Sequence, residues 1–217
     1  MALNAYAIPA VILVTITSLI LLVSEDWRVS IGSLAVQYVG VFILVGLDWP
    51  AEMAGAKLIA GWIAGAVLAM AVISFSKPET EELDEGEFAT REILQSQSST
   101  AGTFPLSGGI FKLVAAVLVG LTVFSIAPRA TDWIRGIQLT QAWGGFILIG
   151  MGLLQLGFTA HPFRTILGLL TAMSGFEILY AVAERSTLVA GLLAAVNLGL
   201  ALVGAYLLIA PFMEEAE

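Results

Sequence analysis

The sequence has no cysteine and a single histidine, and each scarcity excludes a class of site. Without cysteine, the chain has no disulfides, thiolate metal sites or cysteine-ligated iron–sulfur clusters. With His161 as the one histidine, it has no His-rich metal site and no haem held by two of its own histidines. We also find no phosphate-binding glycine loop, nucleophile elbow or dinucleotide fingerprint. We therefore expect no metal, no cofactor and no enzymatic activity of the chain alone.

Charged residues are also scarce, which assigns the chain to the membrane class. They make up 12% of the 217 residues, against about 25% in soluble domains, while 59% are hydrophobic and the mean hydropathy is +0.95. Apolar runs of about 20 residues are long enough to cross a bilayer core. Seven are present: 3–23, 29–47, 51–75, 108–127, 138–158, 163–183 and 187–210. The sequence predicts an all-α membrane protein, a bundle of about seven transmembrane helices with one acidic polar loop.

That loop, residues 76–107, divides the chain into helices one to three (1–75) and helices four to seven (108–217). It holds much of the formal net charge of −8. This acidity argues against binding nucleic acid or anionic lipid head groups. The loop itself is interpreted as a solvated connector or as a docking element for a soluble partner. Because the first apolar segment lacks basic residues and a cleavage motif, we expect it to be a retained helix.

The distribution of Lys and Arg predicts how the helices cross the membrane. With the N-terminus outside and the C-terminus in the cytoplasm, five loop cations lie inside and three outside, as the positive-inside rule favours. The inner set is Arg28, Lys77, Arg91, Lys112 and Arg164, and the outer set is Arg129, Arg135 and Arg185.

Two charged residues lie deep inside the apolar runs. Glu177 is in the sixth segment and Lys57 in the third, each roughly 9 Å from the same predicted membrane face at a rise of about 1.5 Å per residue. A charge at such a depth costs about 2.5–3.5 kcal/mol to insert, so it normally faces a partner or an aqueous path. The two side chains can pair if their helices are neighbours. Alternatively, Lys57 extends to the membrane interface and Glu177 is a structural carboxyl.

Amides and small residues complete the list of candidates. Asn197 and Gln37 lie near the middle of the seventh and second segments, where they either hydrogen-bond between helices or hold water beside Glu177. Glu177, Lys57, Asn197 and Gln37 are therefore the candidates for a proton or ion path. Gly61, Gly65 and Ala69 recur every four residues and predict close helix packing, within the chain or at a subunit interface.

A family resemblance follows from these segments. The stretch HPFRTILGLLTAMSGFEILYAVAERSTLVAGLLAAVNLGLALVGAYLLIA resembles the last two helices of NuoK-like subunits of complex I, in which a basic residue opens an acid-bearing helix. The whole chain resembles component E of hydrogenase-4-type complexes, through SLAVQYVGVFI with Gln37 and AKLIAGWIAGAVLAM with Lys57. The chain departs from the pattern in two places. The acid falls one turn after the family position near Met173 or Ser174, and the last helix has Asn197 instead of a second acid.

The resemblance implies a non-redox membrane subunit of a complex I-related or Mrp antiporter-related complex. Such a subunit lies beside antiporter-like subunits in the plasma membrane of a prokaryote, and contributes to or supports a proton or sodium path. The alternative is a structural membrane scaffold whose polar residues only hold the bundle together. A free-standing small transporter is a further alternative, although the sequence shows no clear inverted repeat.

Overall fold

The computed structural model describes residues 3–75 and 105–214, and every regular element in those ranges is a helix. A short 3₁₀-helix, Leu3–Tyr6, precedes seven α-helices. They are α1 (Ala7–Val23), α2 (Trp27–Val45), α3 (Ala51–Phe75), α4 (Pro105–Trp133), α5 (Leu139–Phe158), α6 (Pro162–Ala183) and α7 (Thr187–Glu214). All seven are long and apolar enough to cross a membrane. The predicted all-α class with seven such helices is confirmed, and the chain fits a transmembrane protein.

The predicted acidic loop, residues 76–107, is largely outside the described part of the chain. Residues 76–104 are not described, whereas residues 105–107 open α4. Of the predicted short connections, those between α1 and α2, between α2 and α3, and between α5 and α6 lie where they were expected.

Helix α4 is longer than its apolar segment suggested. The sequence predicts an end near residue 127, because a proline inside a helix removes one backbone hydrogen bond. In the structure the helix continues through Pro128 to Trp133. Ala127 and Ala130 on either side of the proline are fully buried in an apolar cluster with α5, and the Thr131 hydroxyl donates to the Pro128 carbonyl at 2.6 Å. Packing of this last turn outweighs the lost hydrogen bond.

The helices form two facing layers. In one layer α2 lies between α1 and α3, and in the other α6 lies between α5 and α7. Across the layers α1 packs on α5, α2 on α6 and α3 on α7, while α4 lies at one side against α1 and α5. Helix α6 is the most enclosed of the seven, and α4 and α7 are the least. Large apolar side chains such as Leu118 and Phe124 on α4 and Leu202 on α7 remain exposed, as contact with lipid requires.

The closest helix contact is between α5 and α6, where glycines let the two backbones meet. A Cβ atom at Gly152 would be 2.6 Å from the Gly168 carbonyl oxygen, and one at Gly175 would be 2.5 Å from the Gly145 oxygen. Side chains at these positions would therefore force the helices apart. In a membrane, where lipid is as apolar as the side chains, such close backbone packing holds helices together.

The glycines singled out on α3 face α2. Gly61 lies against the ring of Tyr38, and a Cβ atom at Gly65 would be 4.0 Å from Leu34. Ala69, the third member of the predicted stripe, is half-buried. The structure therefore directs Gly61 and Gly65 to a contact within the chain.

Candidate functional site

Polar side chains from four helices meet inside the two-layer bundle. Gln37 and Tyr38 come from α2, Lys57 from α3, Glu177 from α6 and Asn197 from α7, and none is more than 4% exposed. We call these five residues the polar cluster. Its members lie within helices whose outer surfaces are apolar, so the cluster is separated from lipid by the bundle itself.

Lys57 and Glu177 form a buried ion pair at the centre of this cluster. The Lys57 ammonium donates a hydrogen bond to Glu177 Oε1 and also contacts Oε2. Their side chains are 3% and 1% exposed. Helix α3 packs mainly against α2 and α7, so the lysine stem crosses between these two helices to reach α6. The ammonium therefore points into the protein, and the lysine side chain does not extend to the membrane interface.

Asn197 connects the ion pair to α7. Its side-chain Nδ2 donates to Glu177 Oε1 at 3.0 Å, so this oxygen accepts hydrogen bonds from both an ammonium and an amide. Hydrogen bonds to an ionised acceptor are about twice as strong as neutral ones. One carboxylate therefore connects three helices, and the charges of the pair cancel within the low-dielectric interior.

Tyr38 is a member of the cluster that the sequence analysis did not identify. Lys57 Nζ lies 5.8 Å from the centre of the Tyr38 ring, close enough for a cation–π interaction. Gly61, one turn beyond Lys57 on α3, has no side chain to displace that ring. The available signal was the position of Tyr38 directly after Gln37 in an apolar segment, together with a glycine four residues after the buried lysine.

Gln37 lies at a different level of the bundle from the ion pair. Its Nε2 donates a long hydrogen bond of 3.4 Å to the hydroxyl of Thr171 on α6. Thr171 precedes Glu177 by six residues, a distance of roughly 9 Å along the helix. The structure therefore brings Lys57, Glu177 and Asn197 into direct contact, whereas Gln37 extends the cluster along α6 without touching the carboxylate.

Apart from Glu177 Oε2, which the Lys57 ammonium contacts, three buried oxygens of the cluster accept no hydrogen bond from the described residues. They are Gln37 Oε1, the Tyr38 hydroxyl oxygen and Asn197 Oδ1. Buried polar atoms are nearly always paired, and leaving one unpaired costs about 1–3 kcal/mol. Oxygens of this kind, on two helices that border an ion pair, have the capacity to hydrogen-bond water or to contact a cation.

A second polar network ties the helix ends together near the α2–α3 connection. Gln141 on α5 donates to the Leu44 carbonyl at 3.1 Å and to Asp48 Oδ2 at 2.6 Å. Arg185, after α6, donates to Asp48 Oδ1 at 3.3 Å. The hydrogen bond from Gln141 satisfies the Leu44 carbonyl in the last turn of α2, which has no partner within its own helix. This network was not predicted from the sequence, in which Gln141, an amide in an apolar run, was the one available signal.

The remaining ionisable groups offer no metal centre in the part of the chain that is described. No three His, Asp or Glu side chains among those residues lie close enough together to hold a metal ion. His161 is exposed and immediately precedes α6. The chemistry that the polar cluster can perform is therefore that of an ammonium, a carboxylate and neighbouring amide and phenol groups: hydrogen bonding, proton exchange and stabilisation of charge.

Comparisons of the chain with protein-family models, with curated proteins and with solved structures each found no match. The resemblance to NuoK-like and hydrogenase-4-type subunits therefore stays a prediction. The geometry of the polar cluster is the structural feature that bears on function.

Proposed function

We propose that this chain is an integral membrane subunit of a complex I-related, ion-translocating multisubunit complex. In this proposal the polar cluster contributes to a proton or sodium path. The observation that carries the proposal is the Lys57–Glu177 ion pair, buried between the two layers of apolar helices. Ionisable residues inside a membrane protein are rare and commonly mark the paths of protons, ions or substrates.

The composition of the cluster supports a role in a proton or ion path more than a purely structural role. An ammonium and a carboxylate in contact can exchange a proton without either charge entering lipid. Asn197 stabilises the carboxylate, while its own Oδ1 and the Tyr38 hydroxyl remain without a hydrogen-bond partner among the described residues. Such groups can hydrogen-bond water that carries protons toward or away from the pair.

The proposed partners, membrane and orientation follow from the family resemblance, the loop charges and the exposed faces of α4 and α7. The partners would be antiporter-like and other membrane subunits, in the plasma membrane of a prokaryote, with the N-terminus outside and the C-terminus in the cytoplasm. The exposed apolar faces of α4 and α7 suit contact with lipid or with partner helices. The chain would contribute no redox centre of its own.

A structural scaffold is the second candidate, and one observation favours it. Glu177 is already engaged by Lys57 and Asn197, and all three side chains are buried. A buried ion pair of this kind can specify which helices pack together even when it adds little stability. In that case the cluster would hold α3, α6 and α7 in register and take no part in ion transfer.

Replacing Glu177 by glutamine distinguishes the two functions. Gln keeps the size of the side chain and an oxygen that accepts from Asn197, but it cannot ionise. Pumping should be measured in inverted vesicles, with assembly followed on native gels. In an ion-path subunit we expect pumping to fall to background while the complex still assembles.

Two further variants make the result interpretable. Glu184→Gln removes a carboxylate just after α6, outside the polar cluster, and should pump like the wild type. The double variant Lys57→Met/Glu177→Gln leaves no unpaired charge, so the complex should assemble at least as well as with Glu177→Gln alone. An ion-path role requires that the double variant still fails to pump, whereas wild-type pumping in either Glu177 variant would leave the scaffold as the function.

A further inference from the structure

A cavity of about 600 Å³ opens at the end of the bundle where α3 ends and α4 begins. Its polar lining comes from Glu25, from Lys112 on α4, and from Thr159, His161 and Arg164 around the start of α6. Val72 near the end of α3 and Leu208 on α7 form an apolar part of the lining. Because six membrane-length helices contribute to it near their ends, the cavity lies at the level of a membrane interface.

The charged groups in the cavity are mainly cationic. Lys112 and Arg164 face a single lining acid, Glu25, which is 86% exposed and lies 3.9 Å from the Lys112 ammonium. Arg164 Nη2 donates to the Ser24 carbonyl at 2.5 Å, which holds the guanidinium at the cavity wall. A guanidinium has five N–H donors, so further donors remain for a ligand. An anchored arginine beside a lysine suits an anion with several acceptor oxygens.

The rest of the wall is apolar and aromatic. Trp27, Phe158 and Phe163 line the cavity, and the Arg28 guanidinium lies 5.3 Å from the Trp27 ring centre. Tryptophan favours the membrane–water interface because its ring is apolar and its N–H is polar. A wall of this composition beside two cationic side chains is complementary to a molecule that is anionic at one end and apolar at the other.

We propose that this cavity binds the phosphate head group of an anionic phospholipid. The phosphate contacts Lys112 and Arg164, and the acyl chains leave the cavity along Val72 and Leu208 into the bilayer. The acidic net charge of the chain argued against anionic lipid, but that argument averages over the whole sequence. Among the described residues the cavity is lined by two cations and one acid, Glu25, so its local charge differs from the average over the sequence.

Native mass spectrometry of the full chain in mild detergent tests the proposal, with phosphatidylglycerol and phosphatidylcholine titrated in parallel. We expect tighter binding of phosphatidylglycerol. A Lys or Arg near an anionic lipid contributes about 1 kcal/mol, which corresponds to about fivefold in affinity. Lys112→Gln should therefore weaken phosphatidylglycerol binding about fivefold, and Lys112→Gln/Arg164→Gln about 25-fold. Phosphatidylcholine binding should weaken less, because the choline ammonium makes that head group neutral overall.

Arg135→Gln is the matched control, since it removes an exposed arginine near the other end of α4. It should leave the phosphatidylglycerol affinity within about twofold of the wild type. If Arg164→Gln disturbs folding by removing the contact with Ser24, the Lys112→Gln variant alone tests the lipid site. Lys112 pairs with the exposed Glu25, so its replacement should leave the fold intact. Equal affinity for the two lipids, an equal loss in Arg135→Gln, or displacement of the lipid by equimolar inorganic phosphate would each overturn the lipid site.

Discussion

Removing one partner of the Lys57–Glu177 pair should destabilise the protein far more than removing both charges. In Lys57→Met the unbranched apolar side chain occupies most of the lysine volume, but Glu177 stays buried with Asn197 as its remaining hydrogen-bond donor among the described residues. Breaking a buried ion pair from one side costs about 3–5 kcal/mol. Because the Asn197 bond is retained, we expect the lower part of that range, about 3 kcal/mol.

The reverse single variant and the double variant complete the cycle. Glu177→Gln leaves the Lys57 ammonium buried without a counter-charge, and about 3–5 kcal/mol should again be lost. Lys57→Met/Glu177→Gln buries no charge, and the glutamine oxygen still accepts from Asn197. Replacing a buried pair by uncharged groups is often neutral, so this variant should lie within about 1 kcal/mol of the wild type. The two substitutions should therefore be strongly non-additive.

Unfolding free energies in detergent micelles, followed by circular dichroism over a denaturant titration, measure the cycle. Arg185→Gln is the control for loss of a cation, because Arg185 is 67% exposed in its pair with Asp48. An exposed pair contributes about 0–1 kcal/mol, and the control should change stability by no more than that. Additive effects of the two single substitutions, or a Lys57→Met variant within about 0.5 kcal/mol of the wild type, would refute the buried ion pair.

Two further predictions concern packing and orientation. Gly61→Ala should cost about 1–3 kcal/mol because its Cβ would overlap the Tyr38 ring, whereas Gly55→Ala on the same helix meets no atom within 4 Å and should be neutral or slightly stabilising in the same unfolding assay. For orientation, single cysteines can be placed in this cysteine-free chain at exposed positions near opposite ends of the bundle. An impermeant thiol reagent on intact cells should label Asp132→Cys and not Ala160→Cys. The reverse labelling pattern would invert the proposed topology.

The number and type of the helices were predictable from the sequence, for a simple physical reason. A run of about 20 apolar residues has few alternatives to a membrane-spanning helix, because its backbone must be hydrogen-bonded internally in lipid. The bounds were less predictable where packing competes with local preference. Pro128 is an ordinary helix breaker by sequence, yet α4 continues to Trp133 because Ala127 and Ala130 are buried against α5.

The candidate site was predictable as a set of residues but not as an arrangement. Lys57, Glu177 and Asn197 stood out because polar side chains are costly in apolar runs, and the sequence allowed Lys57 and Glu177 either to pair or to act separately. Gln37 was equally conspicuous, yet it hydrogen-bonds Thr171 at another level of α6. Tyr38 was not singled out, because an aromatic residue in an apolar run is ordinary by composition.

The sequence alone determined the class of the protein, its seven membrane-length helices and the identity of its buried charges, since these depend on residues close together in the chain. The tertiary structure decided which charges meet. Lys57 and Glu177 are 120 residues apart, and their contact exists because α3 lies beside α2 and α7 while α6 lies across from α2. Helix neighbours depend on side-chain packing summed over whole surfaces, such as the glycine contacts of α5 with α6, and no local pattern encodes that sum.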